Sequence, residues 1–136
     1  MKYKDIKVGA TFSFSRIITE EDGEVFAKLT GNQNPLHVSD EFAERSGFDK
    51  KIAYGLHVGS LFSTLIGMYC PGKYSVCLSQ TLHFKKPVYY GDELTVWGEV
   101  VHKNDTFKIV TLKTEIIRES ERVIVGEAEV KVLEHD

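Results

Sequence analysis

The chain has 136 residues, 17 basic against 20 acidic side chains and a net charge of −3. With 42% hydrophobic and 27% charged residues, this length fits one core of ~100–200 residues and excludes a largely disordered chain. No broad basic field is present to hold nucleic acid, and two cysteines, Cys70 and Cys77, are too few for a disulfide framework and lack zinc spacing.

The first residues set Lys2, Lys4, Asp5 and Lys7 where a signal peptide would be apolar. The apolar run from Tyr54 to Tyr69 is interrupted by His57, Ser60, Ser63 and Thr64, short of the ~18 apolar residues of a membrane span. The sequence therefore reads as a cytoplasmic protein of one domain, residues 1–136, with reduced thiols and no membrane segment.

Thr19-Glu20-Glu21-Asp22 resembles a capping box, followed by an apolar stripe of Val25, Phe26 and Leu29, with Gly31 as a stop. Ser39 is placed to cap a short helix holding Phe42 and Ala43, closed by Gly47. Residues 55–69 read as the longest helix, apolar nearly all round and hence buried. In it Gly55, Gly59, Ser63 and Gly67 recur every four residues, which predicts a close neighbour along one face, a sheet or a ligand chain. The second half alternates with period two, predicting strands over 73–86, 93–103, 106–118 and 122–133 joined by short turns, hence antiparallel. A long buried helix against a long antiparallel sheet is an α+β architecture, and its sheet edges invite pairing with a second copy.

The densest polar cluster is Thr30-Gly31-Asn32-Gln33-Asn34-Pro35-Leu36-His37. His37 is the general acid/base candidate, since an imidazole exchanges protons near neutrality. Asn32 and Asn34 can orient water or a carbonyl but cannot act as bases. An Asn-Pro turn with a capping histidine produces the same pattern. The second cluster is Ala53-Tyr54-Gly55-Leu56-His57. Gly55 opens the long helix, so its backbone N–H is free to stabilise an oxyanion, although a glycine at a helix start is also common for packing. His57 lies inside the helix and reads as a core or interface histidine; His83, His102 and His135 receive no role.

The run Phe26 to His37, ending Gly31-Asn32-Gln33-Asn34-Pro35-Leu36-His37, with Ala43 six positions on, resembles the signature of the MaoC-like, R-specific enoyl-CoA hydratase family. The resemblance continues through Ile52-Ala53-Tyr54-Gly55, Ser60-Leu61-Phe62, Pro71-Gly72 and the stretch Leu82 to Leu94. It implies a hot-dog fold, a long central helix wrapped by a curved antiparallel β-sheet, assembled as a homodimer or a higher oligomer of dimers. It implies hydration of trans-2-enoyl thioesters of CoA or acyl carrier protein to (R)-3-hydroxyacyl thioesters, or the reverse, with no cofactor and no metal. On this resemblance His37, Asn32 and Gly55 are the catalytic positions. Asn34, Pro35, Tyr54 and Ser60 are the substrate-binding ones. Apart from the resemblance, Lys50, Lys51, Lys85 and Lys86 are candidates for phosphate contacts, although lysines are more commonly solvated.

The family signature has an aspartate where this chain has Asn32. An amide keeps the shape of the carboxylate but has no titratable group and does not favour a protonated imidazole. Asp40 offers a replacement carboxylate only if the short helix turns it inward. The substitution keeps two alternatives open: a non-catalytic acyl-CoA binding module, and a hot-dog thioesterase, which the lost carboxylate disfavours.

Overall fold

The computed structural model describes residues 1–136. Six strands, β1 (Thr11–Ile17), β2 (Ser75–Gln80), β3 (His83–Phe84), β4 (Glu93–Asn104), β5 (Ile109–Arg118) and β6 (Glu121–Val132), form one antiparallel sheet. The order is β1-β4-β5-β6-β2, with β3 also pairing with β6. The three long strands β4, β5 and β6 put Leu94, Val96 and Val100, then Val110, Leu112 and Ile116, then Ile124, Ala128 and Val130 on the inner face. The register stacks these positions, with Ile116 opposite Ile124 and Leu112 opposite Ala128.

Residues 55–69 cross that inner face as α3 (Gly55–Gly59), α4 (Leu61–Thr64) and a π-helical turn, Leu65–Tyr69. The predicted single helix is interrupted at Ser60, between α3 and α4, where the Ser60 hydroxyl donates to the His57 carbonyl at 2.5 Å. Val58, Leu61, Phe62 and Leu65 fill one core cluster with Ile18, Ala53, Val88, Leu94, Val96, Ile116 and Ile124. Ile66 and Cys70 fill a second with Ile6, Val100, Val110, Leu112 and Val130. The predicted close approach holds for the first two small residues: a Cβ on Gly55 would stand 2.9 Å from the Phe84 ring and one on Gly59 3.0 Å from Leu82. At Gly67 the space is open.

The other helices are α1 (Glu20–Thr30) and α2 (Asp40–Arg45). The capping box forms as read: Thr19 Oγ1 accepts from the Asp22 N–H and Asp22 Oδ2 accepts from the Thr19 N–H. Gly31 ends α1 at φ +80°, and the Ser39 hydroxyl caps α2.

Two expectations need correction, and one strand went unpredicted. Of the α1 stripe only Phe26 packs inward, against Tyr54 and His57, while Val25 and Leu29 are 60% and 81% exposed; the buried positions are Gly23 and Ala27, and at Gly23 the Tyr90 ring takes the place of a side chain. The predicted strand 73–86 is two strands, interrupted by a register shift between Cys77 and Ser79 and by Thr81-Leu82, which belong to neither. Strand β1, paired with β4 from Thr11 to Ile17, carries a period-two pattern that the sequence reading left unassigned. No helix is long and apolar enough to cross a membrane.

Candidate active site

The loop between α1 and α2 is built by its own polar side chains. Asn32 Oδ1 accepts from the Asn34 N–H and Asn34 Oδ1 from the Leu36 N–H, each at 3.0 Å. The second of these caps a 3₁₀ turn, Pro35–His37, whose first residue has no N–H to satisfy. His37 closes the turn. Its Nδ1 lies 2.9 Å from the Ile52 carbonyl oxygen, so in the neutral ring Nδ1 carries the proton and donates, leaving the Nε2 lone pair free.

The imidazole lies over Tyr54, ring centroids 4.1 Å apart. The Tyr54 hydroxyl donates to the Asn32 carbonyl at 2.6 Å, and the Ile52 N–H donates to Leu36 O at 3.2 Å. Residues 32–37 are thus fastened to 52–54 at three points. That second segment is itself fastened, because the Ala53 N–H donates to Val88 O at 2.7 Å. Arg118 on β5 holds the next stretch: its Nη1 donates to Pro87 O at 2.6 Å and to Asp92 Oδ2 at 2.9 Å. Asp92 Oδ2 also accepts from the Tyr89 N–H at 2.9 Å.

His37 opens onto a cavity of about 260 Å³ whose wall also includes Gly55, Phe48, Val58, Phe84, Val88 and Ile124. Gly55 is the first residue of α3, and its N–H donates to no backbone carbonyl. The cavity therefore sets a ring nitrogen with a free lone pair and an unpaired backbone donor among apolar side chains. Lys85 and Lys86 lie at its edge. Chemically it can take an acyl chain, polarise a carbonyl at Gly55 and exchange a proton at His37.

The other sequence-read positions fall elsewhere. Asn32, Asn34 and Pro35 shape the loop, and Tyr54 supports the imidazole from outside this cavity. Asn32 Oδ1 is engaged by a backbone N–H, so its Nδ2 group is the free end of the side chain. Ser60 is not in the His37 wall; it borders a separate cavity with Phe62, Ile66 and Cys77. Asp40 does not replace the missing carboxylate, since it is exposed and its Oδ1 accepts from the Lys51 N–H. Lys51 pairs with Glu20, and Lys50 lies over the Tyr89 ring.

Burial raises the Tyr54 phenol, and burial followed by the nearby Tyr54, Glu20 and Glu24 pushes Tyr90 up to about 12. Both stay protonated. Burial pushes the Cys70 thiol up to about 11, leaving it unreactive. No group of three or more histidine, cysteine or acidic side chains converges as a metal site. Phe84 and Arg118 went unread in the sequence. Gly55 signals Phe84 as the neighbour that needs its missing Cβ; Arg118 carries no signal, being one of many charged strand residues.

A helix lying in the curve of one antiparallel sheet, with a cavity at the helix start, defines the hot-dog fold. The chain belongs to the MaoC-like domain family, whose model matches residues 4–121. It is 38% identical over 130 residues to a 3-hydroxybutyryl-CoA dehydratase of Methylorubrum extorquens, covering 96% of this chain and 83% of the relative. It is 38% identical over 133 residues to an (R)-specific enoyl-CoA hydratase of Aeromonas caviae, covering 97% and 99%. The solved (R)-hydratase from A. caviae superposes with a TM-score of 0.91 at 37% identity, over 95% of this chain and 98% of that one.

Proposed function

We propose that this chain interconverts trans-2-enoyl and (R)-3-hydroxyacyl thioesters, carried on CoA or on acyl carrier protein. The observation that carries the reading is the cavity in which His37, with Nδ1 bound to Ile52 O, faces the same apolar space as Gly55. In the hydration direction the Gly55 N–H donates to the thioester carbonyl oxygen, where negative charge accumulates as water adds to C3. Nε2 of His37 takes one proton from that water and returns a proton to C2. Dehydration runs the same steps backwards. The acyl chain rests against Phe48, Val58, Val88 and Ile124, and the reaction needs no cofactor.

We assign residues 1–136 to one domain acting in the cytoplasm as a homodimer. Support for the dimer comes from β2, an edge strand whose Val76 and Leu78 are about half exposed; an unprotected apolar edge is a pairing surface. The decisive test is loss of the conjugated-thioester absorbance of crotonyl-CoA, with chiral analysis of the product. (R)-3-hydroxybutyryl-CoA is expected, and an S product or free CoA overturns the reading.

A second reading is favoured by one observation. Asn32 supplies no carboxylate, and its remaining free group is a donor. A binding module that retains acyl-CoA without turning it over fits that side chain, and would show binding of crotonyl-CoA with no absorbance loss.

A further inference from the structure

His37 belongs to a second cavity. This one is an open pocket of about 210 Å³ walled by Glu20, Glu24, Gln33, Lys51, Tyr54 and Tyr90 among others; His37 is the one residue it shares with the acyl cavity. The two differ in chemistry. The acyl cavity offers Phe48, Val58, Phe84, Val88 and Ile124, whereas the second offers carboxylates, an ammonium, an amide and phenols. A volume near 210 Å³ has room for several waters at roughly 30 Å³ each.

An independent feature points the same way. The Tyr90 hydroxyl, at the wall of this cavity, makes no hydrogen bond to the protein, and a Cβ on Gly23 would stand 2.4 Å from its oxygen. A glycine inside a helix costs ~1 kcal/mol relative to alanine. Gly23 thus makes room for the Tyr90 ring against α1, and the Tyr90 hydroxyl at the wall of the second cavity is left for water to satisfy.

Hydration consumes one water per turnover, and a thioester seated in the acyl cavity covers His37 from that side. We propose that the water reaches His37 through the second cavity, with Tyr90 as a positioning residue for it. This rests on the hydratase reading. The water oxygen bonds to C3 and one of its protons stays on the new hydroxyl. The other goes to Nε2, and the Nε2 proton is delivered to C2. In dehydration the same passage releases the water.

The experiment narrows the second cavity without touching the first. Ala27→Leu fills it from α1, and Val38→Trp fills it from the exposed rim, where a folding failure is least expected. Tyr90→Phe removes only the hydroxyl. Readouts are kcat and KM with crotonyl-CoA, and the inhibition constant of butyryl-CoA, a saturated thioester that occupies the acyl cavity and cannot react. Both filled variants should lose ~10-fold or more in kcat with KM and butyryl-CoA inhibition held within about twofold. Tyr90→Phe should lower kcat less, with KM unchanged. Filled variants that melt like the parent and keep its kcat overturn the proposal, as does a loss confined to KM and butyryl-CoA binding. A parent that binds butyryl-CoA but hydrates nothing sinks the hydratase reading, and the water path with it, so the parent control separates the two failures.

Discussion

Replacing Asn32 with aspartate is the most informative change this site allows. The side chain makes one hydrogen bond, Oδ1 accepting from the Asn34 N–H at 3.0 Å. A carboxylate keeps it and strengthens it by charge. The position is exposed, so stability should move by no more than about 0.5 kcal/mol. The other end of the side chain changes from an NH₂ donor to an anionic acceptor able to take a proton from water. One positioned acid/base group contributes ~10²–10⁴-fold, which corresponds to about 2.7–5.4 kcal/mol of barrier. Asn32→Asp should therefore raise kcat for crotonyl-CoA hydration at least ~10²-fold over the parent, and its pH profile should gain an acid limb near the carboxylate range, ~4. Initial rates from pH 4 to 9, with thermal melts alongside, measure both. An unchanged rate with weaker butyryl-CoA binding would support the binding module. A parent already as fast as the aspartate variant would refute the reasoning outright, because an amide at position 32 would then suffice.

His37→Ala should cost ~10²–10⁴-fold in kcat while the fold persists, since the loss is one hydrogen bond and one ring contact; a folded variant with parental turnover would remove His37 from the mechanism. His57 Nδ1 is buried without a partner, and burial, against the pull of Asp22 and with the push of Arg16, lowers its affinity for a proton. Its contribution to stability is therefore complete above the ordinary imidazole pKa of ~6.5 and is lost as pH falls below that value. The melting temperature of the parent should drop more between pH 7.5 and 5.5 than that of His57→Gln, and parallel drops would contradict this. Val76→Lys with Leu78→Lys should convert a dimer to a 15.4 kDa monomer in light scattering, whereas a parent that is already monomeric refutes the β2 interface.

What the sequence showed and hid follows from how each signal arises. The ends of α1 were legible because Thr19, Asp22 and Gly31 act through local backbone geometry that any helix needs. Strands β4 to β6 were legible because alternation survives wherever one face of a sheet is buried. The α1 stripe was legible only at Phe26, which packs on Tyr54 and His57, because apolar spacing reports a face, not what lies opposite: Tyr90 occupies the space at Gly23, and Val25 and Leu29 stay outside. The break after Gln80 falls at Thr81-Leu82, a pair whose residue types do not mark a strand end. At the site, the loop motif and Gly55 were readable because few sequences combine them. The walls Phe48, Val58, Val88 and Ile124 were not, since a side chain lining a cavity looks the same as one filling a core. Ser60, five positions after Gly55, borders another cavity with Phe62, Ile66 and Cys77, a placement that spacing along the chain alone does not reveal.

The Arg118 contacts bear on the thermodynamics of ligand capture. One guanidinium, set on a central strand, fixes the carbonyl of Pro87 and the carboxylate that in turn fixes the Tyr89 amide. The Val88 carbonyl between them fixes Ala53. A mobile loop closing over an acyl chain would surrender backbone entropy of ~1–2 kcal/mol per residue at each binding event. Residues 87–92 lost that freedom when the chain folded. The wall that meets the ligand is therefore already ordered, and the affinity gained from burying the acyl chain is not drawn down to immobilise it.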